Sequence, residues 1–485
     1  MKRIAFSFAI VVLAGAALAQ DTPGTPSGST SATVIKGKAP VAKDLLKIRF
    51  PKPKSFKLKN GLEVYVLEDH REPAVRFTLQ MRAGSLYESK PGVAAATAAE
   101  LTEGTASMNS LQIAEQTESI GANLGANSAL DTATLSVSGL SESRDTLIGL
   151  MADVLLHPTF PTDRLDRYRL SQRSGQSQRR TNPTGMIAEL SSQVFYGGTK
   201  YARTPPSREE IAAIQTADLK QFHWDYYRPN GAILGVTGDV DARALKDKLE
   251  VAFADWQPAP TVAALPAADF APKSTAHIYL IDRPNSAQSV LQFGSLGIKR
   301  TDPDYIPLVV ANRVLGGGSS GRLFQNIRER KGYTYGAYSS LTAGKWPGIW
   351  GANASVRTEV TEPAVGEFFF EFKRLQNDAV PEDELTLAKR SIVGSFALTL
   401  ESPQGILQRT LELVENDLPL NYWETYPGKV QAVTPADIQR VARKYLGGSN
   451  VQLLVVGERK KIEPGLAKYG TVEMIDPNKI VIAGR

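Results

Sequence analysis

The sequence predicts an α+β fold of two homologous domains, each a largely antiparallel sheet backed by helices. Three observations carry that expectation. First, residues recur at a nearly constant offset. Pro161, Leu165, Ser171, Pro183 and Gly185 return 220 residues later as Pro381, Leu385, Ser391, Pro403 and Gly405. Ala217-Asp218, Tyr226 and Gly238 return 219 later as Ala436-Asp437, Tyr445 and Gly457. A shift this steady over so long a stretch marks an internal duplication of a unit of roughly 210 residues, not a short-period solenoid. Second, strands of alternating polarity are mixed with amphipathic helices and joined by hairpin signals rather than by strict βαβ alternation. Third, a Pro/Ala-rich stretch at 257–274 bisects the chain, as an interdomain linker would.

The elements follow in order. Lys2 and Arg3 precede an almost wholly apolar run, Ile4 to Leu18, which ends in Ala17-Leu18-Ala19. That is the layout of a secretory signal peptide over 1–19, with cleavage after Ala19, and it predicts a periplasmic location. The run is short for a membrane span, which wants about 20 residues. Residues 20–45 are rich in Pro, Gly, Ser and Thr and are expected to be a disordered tail. An N-terminal domain over 46–256 begins its fold near Phe50. Phe56–Leu67 alternates around Asn60-Gly61 and reads as a hairpin. Val75–Met81 is a second strand. Helices are expected at Ala94–Leu101 and Leu111–Ile120, a strand at Leu130–Val137, and a helix at Ser143–His157 that buries Leu147, Leu150, Met151, Val154 and Leu155 on one face. After the linker, a C-terminal domain fills 275–485.

Composition narrows the function. A chain of 485 residues exceeds a single core. The formal charge of +6 comes without any Lys/Arg block or aromatic-interleaved basic stripe, which argues against nucleic acid. No other segment is long and apolar enough to cross a bilayer. The chain has no Cys, which excludes disulfides, thiolate metal sites and a cysteine nucleophile. The four His, at 70, 157, 223 and 277, show no helical ligand spacing. His70 lies beside Asp69 and Glu72 in what reads as a solvated turn. There is no Gly-x-Ser-x-Gly elbow. The run Gly316-Gly-Gly-Ser-Ser-Gly321 lacks the Lys-Ser/Thr of a phosphate loop and reads as a flexible loop before a helix.

Two stretches carry the chemistry. Residues 84–105 run Gly-Ser-Leu-Tyr-Glu-Ser-Lys-Pro-Gly-Val-Ala-Ala-Ala-Thr-Ala-Ala-Glu-Leu-Thr-Glu-Gly-Thr. This frame resembles the zinc-site segment of pitrilysin/insulinase-type metallopeptidases, the inverted zincins, whose pattern is His-x-x-Glu-His on one helix. On that frame the two His fall at Ala95 and Ala99 and the general base at Ala98. Ala has no lone pair to offer a metal, yet it is the best helix former, so the helix is expected to survive without its chemistry. The resemblance places a third ligand, a Glu, on a later helix. The matching window, Ser171-Gln-Arg-Ser-Gly-Gln176, holds no carboxylate and sits among Arg169, Arg173, Arg179 and Arg180.

The second stretch, Leu315 to Ser340, resembles the second-domain signature of the same peptidases. There an Arg and a Tyr seven residues apart reach substrate held at the zinc, and Arg328 and Tyr335 match them. Arg presents a fork of donors to peptide carbonyls or a carboxylate, and a Tyr hydroxyl can steady a developing oxyanion. The resemblance implies two peptidase-type domains facing each other across a cavity. It also implies no cofactor on this chain, zinc on a homologous partner subunit, and peptide substrates completed by Arg328 and Tyr335 in trans. The expected role is the non-catalytic subunit of a heterodimeric metallopeptidase. The alternative is a catalytically dead scaffold or peptide-binding protein of the same fold.

Overall fold

The structure, a computed structural model, describes residues 48–179, 181–202, 205–446, 451–478 and 480. The expected signal peptide and tail, 1–45, lie outside the described residues. Six strands form a first sheet: β1 (Lys54–Lys57), β2 (Glu63–Glu68), β3 (Ala74–Met81), β4 (Asn123–Ser128), β5 (Ala133–Leu140) and β6 (Ile233–Gly238). Six more form a second: β7 (His277–Asp282), β8 (Gln288–Leu296), β9 (Thr334–Leu341), β10 (Ile349–Arg357), β11 (Gln452–Gly457) and β12 (Thr471–Ile475). Their orders are β1-β2-β6-β3-β5-β4 and β12-β7-β11-β8-β10-β9. From the second strand inward the wiring is identical. One parallel pair, β2 with β6 or β7 with β11, leads into antiparallel neighbours. The outer strands differ, because β1 runs antiparallel to β2 whereas β12 runs parallel to β7.

Local chemistry explains these elements. At Asn60-Gly61 the chain reverses with Gly61 at φ 94°, and the Asn60 side chain accepts a hydrogen bond from the Leu62 amide at 3.1 Å. Val75, Phe77, Leu79 and Met81 alternate into the core of β3. The helix Arg144–Leu156 buries the five apolar residues its periodicity marks. One strand departs from the sequence reading. The expected strand at 130–137 is observed at Ala133–Leu140, because Ala129–Thr132 close a tight turn, the Ala129 amide donating to the Thr132 carbonyl at 2.7 Å. The other arm of that turn is β4, Asn-Leu-Gly-Ala-Asn-Ser, whose polar sequence carries no alternation; it is a strand because it pairs with β5.

Several of the residues that recur at offset 219 or 220 start or stop elements, while Leu165 and Leu385, and Ser171 and Ser391, recur inside the helices Thr162–Arg179 and Glu382–Thr399. Pro183 and Pro403 each open a helix, Pro183–Tyr196 and Pro403–Glu415, behind the caps Asn182 and Ser402. Asp218 and Asp437 each close a capping box at the start of Thr216–Tyr226 and Pro435–Tyr445. Gly238 and Gly457 end β6 and β11. Gly238 sits at φ 119°, where a Cβ would lie 2.0 Å from the Ala74 carbonyl oxygen.

These two paired helices also hold the halves together. Pro183–Tyr196, from the first half, packs on β8 and β11 of the second sheet. Pro403–Glu415, from the second half, packs on β2 and β6 of the first. Phe195 lies over Gly294, and Leu407 lies over Gly235. The core of the first half therefore runs on into Tyr279, Ile281, Leu454 and Val456 of the second sheet. The stretch 257–274 has no regular structure, but it is a strap and not a free tether. Leu265, Ala268 and Phe270 pack on the core, Phe270 meets the rings of Tyr196 and Tyr201, and the Tyr201 hydroxyl donates to the Pro266 carbonyl at 2.9 Å. A cavity of about 720 Å³ remains between the first sheet and the turn that precedes Pro403–Glu415.

Candidate functional site

The degenerate segment folds as a helix, Val93–Glu100. Its first turn is fixed from outside: the Glu88 carboxylate accepts from the Gly92 amide at 3.0 Å and from the Ala94 amide at 2.9 Å. Val93, Ala94, Ala96 and Thr97 are buried, so packing holds the helix whatever stands at the ligand positions. Ala95 and Ala99 lie one turn apart on the exposed face, while Ala98 is buried at 1% exposure. The exposed face thus offers two methyl groups where an open metal site needs nitrogen or oxygen donors. The helix packs beside Thr162–Arg179, which carries the 171–176 window. Arg169 of that helix is engaged by Asp166 and the Ile214 carbonyl; Arg180 lies outside the described residues. Among the described residues no group of three or more His, Asp or Glu could hold a metal ion. The residues present at this site do not fit zinc.

Sequence reasoning did not single out Glu100, the next residue on this helix. It is 3% exposed, and one of its carboxylate oxygens has no hydrogen-bond partner. Burial, then the neighbouring Glu103, push its carboxyl up to about 7, against a smaller opposing effect of Arg164. His70, beside Asp69 and Glu72, turns instead to Asp239, its Nδ1 meeting that carboxylate at 2.7 Å.

In the second half, Arg328 and Tyr335 are brought together. Arg328 sits in a π-helical segment, Phe324–Arg330, whose wide turns are of the kind often found at functional sites. That segment is anchored from below. The Asn326 side chain donates to Glu367 at 2.8 Å and to Glu371 at 2.9 Å on the helix Thr361–Asn377, and Arg374 also holds Glu371, which is fully buried. The Arg328 guanidinium lies 4.8 Å from the Phe324 ring, and its Nη1 donates to the Tyr335 carbonyl at 2.6 Å. The glycine-rich loop ahead of it is pinned rather than loose, since Arg313 reaches both the Gly317 carbonyl and the Ser391 hydroxyl.

Tyr335 stands on β9, the edge strand of the second sheet. Plain alternation would point it the same way as Ala337 and Ser339, which are buried. The register prevents that. Ala337 pairs with Ala354 and Thr334 with Val356, so Tyr335 and Gly336 together oppose Ser355. This bulge turns the Tyr335 side chain out to 86% exposure. Thr334 locks it, its hydroxyl donating to the Ser355 carbonyl at 2.6 Å and accepting from the Gly336 amide at 3.1 Å. An exposed phenol and a guanidinium fork are held side by side on a sheet edge.

Two six-stranded sheets backed by helices, wired alike from the second strand inward, define the class of fold. The comparisons agree. Residues 63–204 match the family described as Insulinase (Peptidase family M16), and residues 213–392 match Peptidase M16 inactive domain. The chain belongs to peptidase family M16. It is 24% identical to a protein of Bacillus subtilis named Uncharacterized zinc protease YmxG, over 80% of this chain and 93% of that one. It is 22% identical to one of Helicobacter pylori named Non-peptidase homolog YmxG, over 81% and 91%. Among solved structures, the peptidase M16 inactive domain from Pseudomonas fluorescens superposes with a TM-score of 0.77 at 28% identity, covering 84% of this chain and 98% of that one. A protease from Helicobacter pylori shares the fold, with a TM-score of 0.74 at 19% identity over 84% and 100%.

Proposed function

We propose that this chain is the non-catalytic subunit of a periplasmic, heterodimeric zinc metallopeptidase. It supplies Arg328 and Tyr335 in trans to a homologous partner that carries the zinc, its water and the general base. One contrast carries the reading: the exposed face of Val93–Glu100 presents Ala95 and Ala99, while a locked bulge keeps Tyr335 in solvent beside Arg328. A pure scaffold has no use for that second arrangement. The name Non-peptidase homolog, carried by a relative, and the match to an inactive domain support the same reading. The sequence of residues 1–19 supports the periplasmic location.

In this reading the Tyr335 hydroxyl donates to the oxygen of a scissile carbonyl as negative charge develops there. Arg328 gives up its bond to the Tyr335 carbonyl and turns its fork onto the peptide backbone or a terminal carboxylate. Peptides or unfolded segments are the substrates, presented in extended form.

Mixing tests this. The chain alone should hydrolyse no peptide and retain no stoichiometric zinc. Adding the zinc-bearing homologue should produce activity. Arg328→Ala and Tyr335→Phe should each lower that activity about 10²-fold or more, the scale of one lost oxyanion donor. A complex of the double variant that works at the wild-type rate would sink the trans site and leave a scaffold.

A further inference from the structure

The cavity between the halves is chemically unlike the Arg328–Tyr335 edge. Its volume of about 720 Å³ falls within the range of small-molecule sites, roughly 300–1,000 Å³. Asp69 and Arg71 line it but neutralise each other at 2.7 Å. Three further charged side chains line it and have no hydrogen-bond or ion-pair partner among the described residues: Arg76, Glu72 and Glu401. Arg76 is on β3, half-buried, and alternates away from the core residues Val75 and Phe77. Glu72 lies in the turn before β3, and Glu401 comes from the other half, just before the Ser402 cap. Asn123, Ser138 and Thr237 add neutral donors and acceptors to the wall.

These charges are not a residue of the duplication. Arg76 pairs with Thr237 in the first sheet, and the matching pair in the second is Val290 with Val456. Val290 packs against the core. The residue 220 before Glu401 is Thr181. Arg76 and Glu401 therefore have no charged counterparts at the equivalent positions.

We propose that this cavity binds a zwitterion: a short peptide or free amino acid with both termini unblocked. Its carboxylate meets the Arg76 guanidinium and its ammonium meets Glu72 and Glu401. A simple anion would be repelled by the two carboxylates and a simple cation by Arg76; a molecule carrying both charges satisfies all three. Asn123, Ser138 and Thr237 take the amide between the termini. The inference stands apart from the trans-site reading, because none of its residues is on the π-helical segment or β9.

Calorimetric titration of the mature full-length chain at low salt tests it, with the dipeptide Ala-Ala as probe. Saturable binding is expected at millimolar concentrations or below. N-acetylation of the probe, or amidation of its carboxyl, should each weaken binding about tenfold or more, the scale of one charge-assisted hydrogen bond. Arg76→Gln should do the same for the free dipeptide. Glu401→Gln should weaken the free dipeptide but not the acetylated one. Arg328→Ala should leave binding unchanged, which separates this site from the proposed substrate edge. Absence of saturable binding, or equal affinity for blocked and free probes, overturns the proposal. If Arg76→Gln loses its thermal transition, Glu401→Gln decides alone, since it replaces an exposed turn residue, and an unaltered affinity there overturns the proposal too.

Discussion

The two halves share one wiring from the second strand inward and diverge in the side chains each presents. In the first half the helix Val93–Glu100 presents Ala95 and Ala99 on its exposed face. In the second, Phe324–Arg330 and β9 present Arg328 and Tyr335, with a bulge and a carboxylate network built around them. The reason for the difference lies in what supports each element. The first helix rests on a Glu88 clasp and on buried Val93, Ala94, Ala96 and Thr97. Nothing at Ala95 or Ala99 contributes to that support, so the ligand positions can change without disturbing the fold. In the second half, position and support lie in the same short segments. Arg328 lies within the segment that Asn326 anchors, and Tyr335 lies within the bulge that Thr334 locks. Chemistry is separable from scaffold in one copy and woven into it in the other.

Placing the residues of the His-x-x-Glu-His pattern on the first helix one at a time should sharpen this contrast most. Ala95→His and Ala99→His occupy exposed positions and should each change stability by about 0.5 kcal/mol or less. Ala98→Glu puts a carboxyl where the methyl is 1% exposed, and should cost about 3–5 kcal/mol through an unpaired buried acid and overpacking. Chemical denaturation of the three single variants measures the spread. Equal, small effects would mean that the buried face of this helix can open to take a carboxyl.

The next effect concerns two buried carboxylates, one in each half. Glu371 is fully enclosed but is met by Asn326, Arg374 and Arg330. Glu100 has an oxygen with no partner, and burial pushes its carboxyl up to about 7. A folded-state value above the unfolded one means the folded chain holds a proton that the unfolded chain gives up. The stability contribution is therefore full below about pH 4.5 and is lost as pH rises towards 7, by up to about 3 kcal/mol. Glu100→Gln does not titrate and should escape that loss, so its advantage over the wild type should grow across this window and then level off. His223 acts in the opposite sense. It is half-buried with Nε2 against the Leu155 carbonyl, and desolvation pushes it down to about 4, so it costs stability as pH falls from about 6.5 towards 4. The difference between variant and wild type, not the raw profile, is the measurement.

Much of this was legible in the sequence for a physical reason. Proline, glycine and capping aspartates are the residues whose positions the backbone dictates, so a duplicated fold keeps them even where packing residues drift. The constant offset picked out Pro183 and Pro403, Gly185 and Gly405, and Asp218 and Asp437, and all of them mark helix starts. The resemblance to the metallopeptidase signatures singled out Ala95, Ala99, Arg328 and Tyr335; the structure exposes the first two on one helix face and brings the last two together. What could not be read depends on partners distant in sequence. The β9 bulge exists only in the register against β10, and Thr-Tyr-Gly-Ala-Tyr by itself alternates the wrong way for Tyr335. The strand β4 exists only because β5 pairs with it. The reciprocal seating of Phe195 and Leu407 on the opposite sheets needs both sheets in place. The cavity charges, contributed by β3 and by a turn more than three hundred residues away, leave no local pattern.

The smallest effect separates two glycines that look equivalent in sequence. Gly185 and Gly405 each follow an opening proline by two residues, and each faces the carbonyl six residues before it. A Cβ at Gly185 would stand 3.3 Å from the Arg179 oxygen, whereas one at Gly405 would stand 1.9 Å from the Thr399 oxygen. The first contact is relieved by a shift of a few tenths of an ångström. The second requires the turn between Glu382–Thr399 and Pro403–Glu415 to move. That same turn carries Glu401 and the Ser402 cap, and it seats the helix that places Leu407 on the first sheet. Gly405→Ala should therefore destabilise by about 1–3 kcal/mol, while Gly185→Ala should lie near neutral, because the lower entropy of an unfolded Ala chain offsets the mild crowding. Because Leu407 couples the halves, Gly405→Ala should lower the midpoint of a single unfolding transition. A split into two transitions would show that the exchanged helices do not bind the halves into one cooperative unit.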